Sequence, residues 1–424
     1  MMFFNKFFSR AAMAALLVTL VTACGGGGGS APTQTSLAGT PPLNNLPSPP
    51  AVSNLLEVTV DAGPKDTGYN VNRLYTTVTV CSPGSTTQCQ TIDHVLVDTG
   101  SFGVRLLSSA MAPALNLNRL TGDSGFPLLN CAQFLDNSFA WGPVATADIV
   151  LGGKTAASVP IQVIADPAFN NPPLGCAVGG TAITTAKMLG ANGIIGLGLF
   201  KEDCGSRCTG NPGNDVYFTC DNVGCTGSTA AIAQQVKNPV PLFAVDKNGV
   251  LIDLPAVSSV GAPRLIGSLI FGIGTQSNNQ WSAGTVLTAD ASTGYITTRL
   301  GVQSLTKSFI DSGSNGLFFD STAITKCGTS APGFYCPTLP TTLSATLVGT
   351  NGLTSPVISF SIDNALSLFA GGVNNVLPTL AGTGNLNSFD WGLPFFYGRR
   401  VFFGIEGKTS TLGSGSVTGP FYAF

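Results

Sequence analysis

From Leu55 onward, short apolar stretches recur between turn residues: LLEVTV, LYTTVTV, HVLVDTG, ADIVLGG, VPIQVIA, GVLIDLP, RLIGSLIFG, GYITTRL, KSFIDSG, LSATLVG, VISFSID and RRVFFGIEG. Their length and β-branched content predict strands, joined by a few short helices such as one over Thr229 to Lys237. After the first 24 residues no stretch of 18 apolar residues occurs, so no membrane-spanning helix is expected in the body.

Composition narrows this picture. With 44% apolar and 9% charged residues the chain is too hydrophobic to be disordered. Its 53 Gly and 27 Pro suit turns between strands, and three Glu are too few for a long-helix protein. A single histidine, His94, rules out a multi-His zinc site and leaves one imidazole for any Ser-His-Asp or Cys-His device. His94 itself reads as a surface or supporting residue, so hydrolysis in this chain calls for carboxylates. The formal charge of -2 and the lack of basic clusters beyond Arg399 and Arg400 exclude nucleic acid as a partner.

Residues 1–23 read as an export signal, with Lys6 and Arg10 ahead of the apolar run Ala11 to Ala23. Val21-Thr22-Ala23-Cys24 resembles a bacterial lipoprotein lipobox, which implies lipidation of Cys24 and a chain anchored in the cell envelope, at the outer membrane or its periplasmic face. Residues 24–54 are rich in Gly, Pro and Ser and predict a flexible tether. Setting Cys24 aside leaves ten cysteines in an oxidising compartment, where disulfides are the default. Cys81 with Cys89 and Cys327 with Cys336 are near in sequence, and Cys131 with Cys176 is the remaining long-range pair. Cys204, Cys208, Cys220 and Cys225 admit three connectivities; their spacing does not fit the CxxC pairs of a zinc knot.

The chain also contains an internal repeat. VLVDTGSFGVRLLSS, from Val95, aligns without gaps on SFIDSGSNGLFFDST, from Ser308, placing Asp98 on Asp311, Gly100 on Gly313, Ser101 on Ser314 and Gly103 on Gly316. A second echo follows each copy, at Asn192-Gly193-Ile194-Ile195-Gly196-Leu197 and at Phe389-Asp390-Trp391-Gly392-Leu393. Each copy puts an Asp at the end of an apolar strand, followed by a Gly turn and hydroxyl residues. If a pseudo-twofold axis relates the halves, the two carboxyls meet at it and share one proton. Such a pair can activate water without histidine, nucleophile or metal. Asp390, beside Trp391 in a turn expected to be buried, has no evident role in this scheme.

DTGS at 98–101 and DSGS at 311–314 resemble the paired signatures of the pepsin-like aspartic peptidases. The resemblance extends to NGIIGLGL (192–199), LIFGIG (269–274) and GLPFFYGRRVFFGIEGK, and so covers Leu55 to Phe424. It implies an all-β, bilobal fold with pseudo-twofold lobes, roughly 55–265 and 266–424, around a central cleft. It further implies an aspartic endopeptidase, monomeric and free of cofactor and metal, acting on extended peptide or unfolded protein. Asp98 and Asp311 would be catalytic, with Thr99, Gly100, Ser101, Ser312, Gly313 and Ser314 supporting them. The family's cleft is covered by a flap carrying Tyr-Gly; the matching residues here are Trp141-Gly142, with Arg105 where a Trp normally bonds the flap Tyr. An Arg105–Trp141 cation–π contact could replace that pair. These departures favour the alternative, a catalytically silent envelope lipoprotein that binds peptide or glycan. The aromatic run Phe395, Phe396, Tyr397, Phe402 and Phe403 reads as core.

Overall fold

A computed structural model describes residues 54–424 apart from Ala114, Asn116, Gly179, Ser282, Ala283 and Ser414. The signal segment, Cys24 and the tether up to residue 53 lie outside the described residues. All twelve apolar stretches fall in strands, and the reason is visible in the alternation of burial. In Leu55–Val60, for example, Val58 and Val60 are fully buried while Leu55 faces out.

The fold is all-β and bilobal. In the N-terminal lobe, Leu74–Cys81 pairs antiparallel with Cys89–Asp98, and Ser138–Leu151 with Lys154–Ile164. The C-terminal lobe is a seven-stranded sheet that includes Thr341–Val348, Ile296–Leu300, Gln303–Ile310, Phe389–Trp391 and Leu317–Phe319. A third layer joins the halves. Leu55–Val60 pairs with Leu265–Phe271, which pairs with Gly249–Leu254, then Arg399–Gly404, Phe421–Ala423 and Val286–Thr288. Residue 265, where the sequence places the end of the first lobe, is the first residue of a strand in this joining sheet. One buried apolar cluster runs through both halves, from Val58 to Tyr422, and takes in Phe395, Phe396, Tyr397 and Phe403; Phe402 is buried in a neighbouring cluster.

Each lobe repeats one arrangement around its Asp. The strand ending in Asp98 runs parallel to Gly193–Leu197, which is antiparallel to Phe102–Leu107. The strand leading to Asp311 runs parallel to Phe389–Trp391, which is antiparallel to Leu317–Phe319. Gly196 inside the first of these strands and Gly392 just after the second hold equivalent places, where any Cβ would collide with backbone, of Phe102 in one case and of Ser314 and Gly316 in the other.

One local expectation is corrected, and His94 keeps the supporting place expected of it. Over Thr229 to Lys237 only Ile232–Gln234 forms a short 3-10 turn. Its backbone groups bond outward instead, as in Ala230 N–H to Cys208 O and Asp203 N–H to Val236 O. A nine-residue helix is marginal on its own, so these long-range bonds decide the conformation. At His94 the strand bulges: between Val95 and Ile92 it carries an extra residue against its partner. His94 sits at φ +45°, its imidazole bonded to Asp93 (2.9 Å) and paired with Asp61 (3.5 Å) rather than turned to Asp98.

Candidate active site

The two Asp-Ser/Thr-Gly turns meet where the lobes face each other, with Asp98 and Asp311 both buried. The middle residues of the motifs lock the turns crosswise. Thr99 Oγ1 accepts from Ser312 N–H (2.9 Å) and donates toward Ile310 O (3.5 Å). Ser312 Oγ accepts from Thr99 N–H (3.2 Å) and donates to Val97 O (2.8 Å). These four bonds are related in pairs by the twofold. Sequence reasoning grouped Thr99 and Ser312 with the support of the pair but missed this reciprocal grip; a hydroxyl at the second position of both motifs was the available signal.

Gly100 N–H donates to Oδ1 of both carboxyls, at 2.9 Å each, and so bridges them. A Cβ on Gly100 would stand 2.6 Å from Asp311 Cγ, and one on Gly313 2.6 Å from Asp98 Oδ1, so only glycine permits this approach. The donors are unequally shared. Asp311 also accepts from Gly313 N–H (2.7 Å) and Ser314 Oγ (2.9 Å), whereas Asp98 Oδ2 has no protein partner and Ser101 Oγ no aligned one. Burial, then the Asp311 charge, pushes Asp98 well above the ordinary carboxylate range. Burial raises Asp311 too, against the pull of its several donors. The unequal sharing of donors favours the charge on Asp311 and a shared proton on the Asp98 side.

The expected flap turn does not hold Trp141-Gly142. Its hairpin is Leu128–Gln133 with Ser138–Leu151, and the turn is Phe134-Leu135-Asp136-Asn137, closed by Phe134 N–H to Ser138 O. Trp141 and Gly142 fall within the second strand, not at the turn. Trp141 is 5% exposed, donates Nε1–H to Phe169 O (2.9 Å) and packs edge-on against Phe218 beside Cys131 and Cys176. A Cβ at Gly142 would strike Val163 O. No cation–π contact joins Arg105 to Trp141. Arg105, 1% exposed, is paired with Asp203 (2.9 Å) and donates to Gln162 (2.8 Å) and to Asn130. Asp203 accepts further from Tyr217 (2.6 Å) and Asn130 (2.9 Å). A buried cation needs such a set of partners, and these come from strands and loops that are remote in sequence.

All ten body cysteines form disulfides: Cys81–Cys89, Cys131–Cys176, Cys204–Cys208, Cys220–Cys225 and Cys327–Cys336. Among the described residues no set of three or more His, Cys, Asp or Glu side chains is placed to hold a metal ion. The Phe134–Asn137 turn stands over a cavity of about 260 Å³, lined by Leu135 and Asp136 on one side and by Phe309, Ser314 and Asp390 on the other.

The solved structure of an aspartic proteinase from Irpex lacteus matches this fold with a TM-score of 0.50 at 13% identity, covering 87% of this chain and 96% of that chain. At that identity the likeness establishes the pepsin-like fold. No curated protein matches the chain in sequence. A family model described as "Protein of unknown function (DUF3443)" matches residues 50–424, and the chain belongs to that family.

Proposed function

We propose that the chain is an aspartic-type endopeptidase in which Asp98 and Asp311 activate water. The observation that carries this reading is the buried carboxyl pair held by one shared Gly100 N–H, with donors concentrated on Asp311. Asp311 takes a proton from water as its oxygen attacks the scissile carbonyl carbon, and Asp98 gives its proton to the carbonyl oxygen. The resulting gem-diol collapses as Asp311 passes its proton to the amide nitrogen, the C–N bond breaks and Asp98 regains a proton from the diol. The flap turn and the cleft accommodate an extended peptide or unfolded protein, and the chain works as a monomer anchored in the cell envelope through lipid on Cys24.

The binding-only alternative drew its support from Trp141 and Arg105, and both side chains are committed to internal packing and hydrogen bonds. The full chain incubated with a denatured protein between pH 3 and pH 7 is expected to cleave it and to be blocked by a statine-containing peptide. Asp98→Asn and Asp311→Asn should each abolish cleavage. Absence of cleavage throughout that range, or cleavage that survives either substitution, overturns the reading.

A further inference from the structure

We propose that the cavity beneath the flap turn receives a basic side chain of the substrate, with Asp390 as its counter-ion. The inference rests on the endopeptidase reading only in taking the occupant to be part of a peptide laid in the cleft.

Asp390 is 6% exposed, lines the cavity, and its Oδ1 has no hydrogen-bond partner. A buried carboxyl left in this condition is costly unless a ligand or a proton satisfies it. The other acid on the wall, Asp136, is already engaged, accepting from Ser138 N–H (2.8 Å) and Oγ (2.6 Å) and feeling the charge of Arg73. Among the described residues no Lys or Arg lines the cavity. What does line it suits a long cationic side chain: Phe309 and Phe318 offer apolar contact to an aliphatic stem, and Ser314, Thr383 and Ser388 are polar residues for its head.

The other lobe shows how this chain handles a charge at the corresponding place. Opposite Ile194 on the central strand stands Arg105, neutralised within the protein by Asp203; opposite Asp390 stands Phe318, and no internal cation answers. The groups facing Asp390 are Asp311 and Asp98 from the two motif turns, Ser314 beside them, Phe318 across the strand pair, Asp136 from the flap turn, and the buried phenol of Tyr422, which feels its charge. All of the titratable ones are acids. Burial, then the charge of Asp311, holds the proton of Asp390 well above the ordinary carboxylate range. Entry of an ammonium or guanidinium group supplies the missing positive charge, so Asp390 ionises and its proton leaves to solvent as the ion pair forms.

The test uses the full chain and peptides with an uncleavable, uncharged hydroxyethylene link, identical except that lysine or norleucine is scanned through the positions flanking the link. At one position lysine is expected to bind about tenfold or more tighter than norleucine, a difference of ~1.4 kcal/mol. Binding there should release a proton, seen as a dependence of the calorimetric heat on buffer ionisation. Asp390→Asn should erase both the preference and the proton release while leaving norleucine peptides within about threefold. Asp390→Ile, which copies the residue at this place in the other lobe, gives the same comparison should the Asn variant fail to fold. Norleucine binding as well as lysine everywhere, or a lysine preference that survives both substitutions, overturns this inference alone. Failure of every peptide to bind overturns the endopeptidase reading and this inference with it.

Discussion

The two lobes carry the same Asp-Ser/Thr-Gly turn on the same strand arrangement, yet they fill the adjoining pair of positions differently. In the N-terminal lobe the pair is Ile194 and Arg105; in the C-terminal lobe it is Asp390 and Phe318. Arg105 is enclosed by Asp203, Asn130 and Gln162, so its charge is settled inside the protein and plays no part in the cleft. Asp390 lacks such an enclosure and borders a cavity. Twofold symmetry thus fixes the carboxyl pair, while the departure from symmetry one position away gives the cleft two chemically different sides.

Breaking the symmetric part should have the largest effect. Replacing either Asp98 or Asp311 with Asn is expected to lower kcat by at least ~10²–10⁴-fold, the usual range for removing a general acid or base. Because Asp98 is raised, activity should persist above the ordinary carboxylate range and fall as pH climbs through its folded value. A pH–rate profile that falls off at or below the ordinary carboxylate range would contradict this proton assignment.

Breaking the enclosed charge of the N-terminal lobe comes next. Arg105→Met or Asp203→Asn leaves a buried partner unpaired and should cost about 3–5 kcal/mol in urea unfolding. The double variant Arg105→Met, Asp203→Leu should recover part of that loss. If the single variants cost no more than exposed substitutions, the enclosure is not a stabilising unit.

The grip offers a test of symmetry itself. Thr99→Val and Ser312→Ala each strand a buried N–H, for about 1–3 kcal/mol apiece. Similar costs are expected in the two lobes, and markedly unequal ones would show that the twofold bonds are not energetically equivalent.

The smallest effect is at Asp390. Its folded pKa lies above the unfolded value near 3.8, so the folded state binds the extra proton and stability is lost as pH rises from there through the folded value. Asp390→Ile should therefore unfold at higher temperature than the unaltered chain at pH 7, with the gap closing toward pH 4. An offset that is independent of pH would mean that packing, not ionisation, accounts for it.

The strands and the carboxyl pair could be read from the chain because both are local signals: alternation within a few residues, and a motif whose duplication is visible without a fold. The turn was misplaced within its hairpin because an aromatic-Gly pair at Trp141-Gly142 mimics the expected signature, whereas the turn itself, Phe134 to Asn137, contains no glycine. Arg105 was misjudged because its partners lie 25, 57 and 98 residues away and no short pattern links them. For Cys204, Cys208, Cys220 and Cys225, spacing alone could not choose among three connectivities, and the pairing of Tyr217–Cys220 with Cys225–Gly227 sets Cys220 opposite Cys225. Asp390 was visible as an oddity, but its meaning required the opposing Phe318 and the cavity.

The sheet that joins the lobes also constrains how the chain can be made. Its first strand, Leu55–Val60, pairs with Leu265–Phe271, and Gly249–Leu254 finds its second neighbour only in Arg399–Gly404. Pairings this distant in sequence are slow to form, and for as long as the last strands are missing an apolar edge at Gly249–Leu254 is open to other chains. Folding in one late, cooperative step would keep that exposure brief, and C-terminal truncations reaching Arg399–Gly404 should accumulate as aggregates rather than as a free N-terminal lobe.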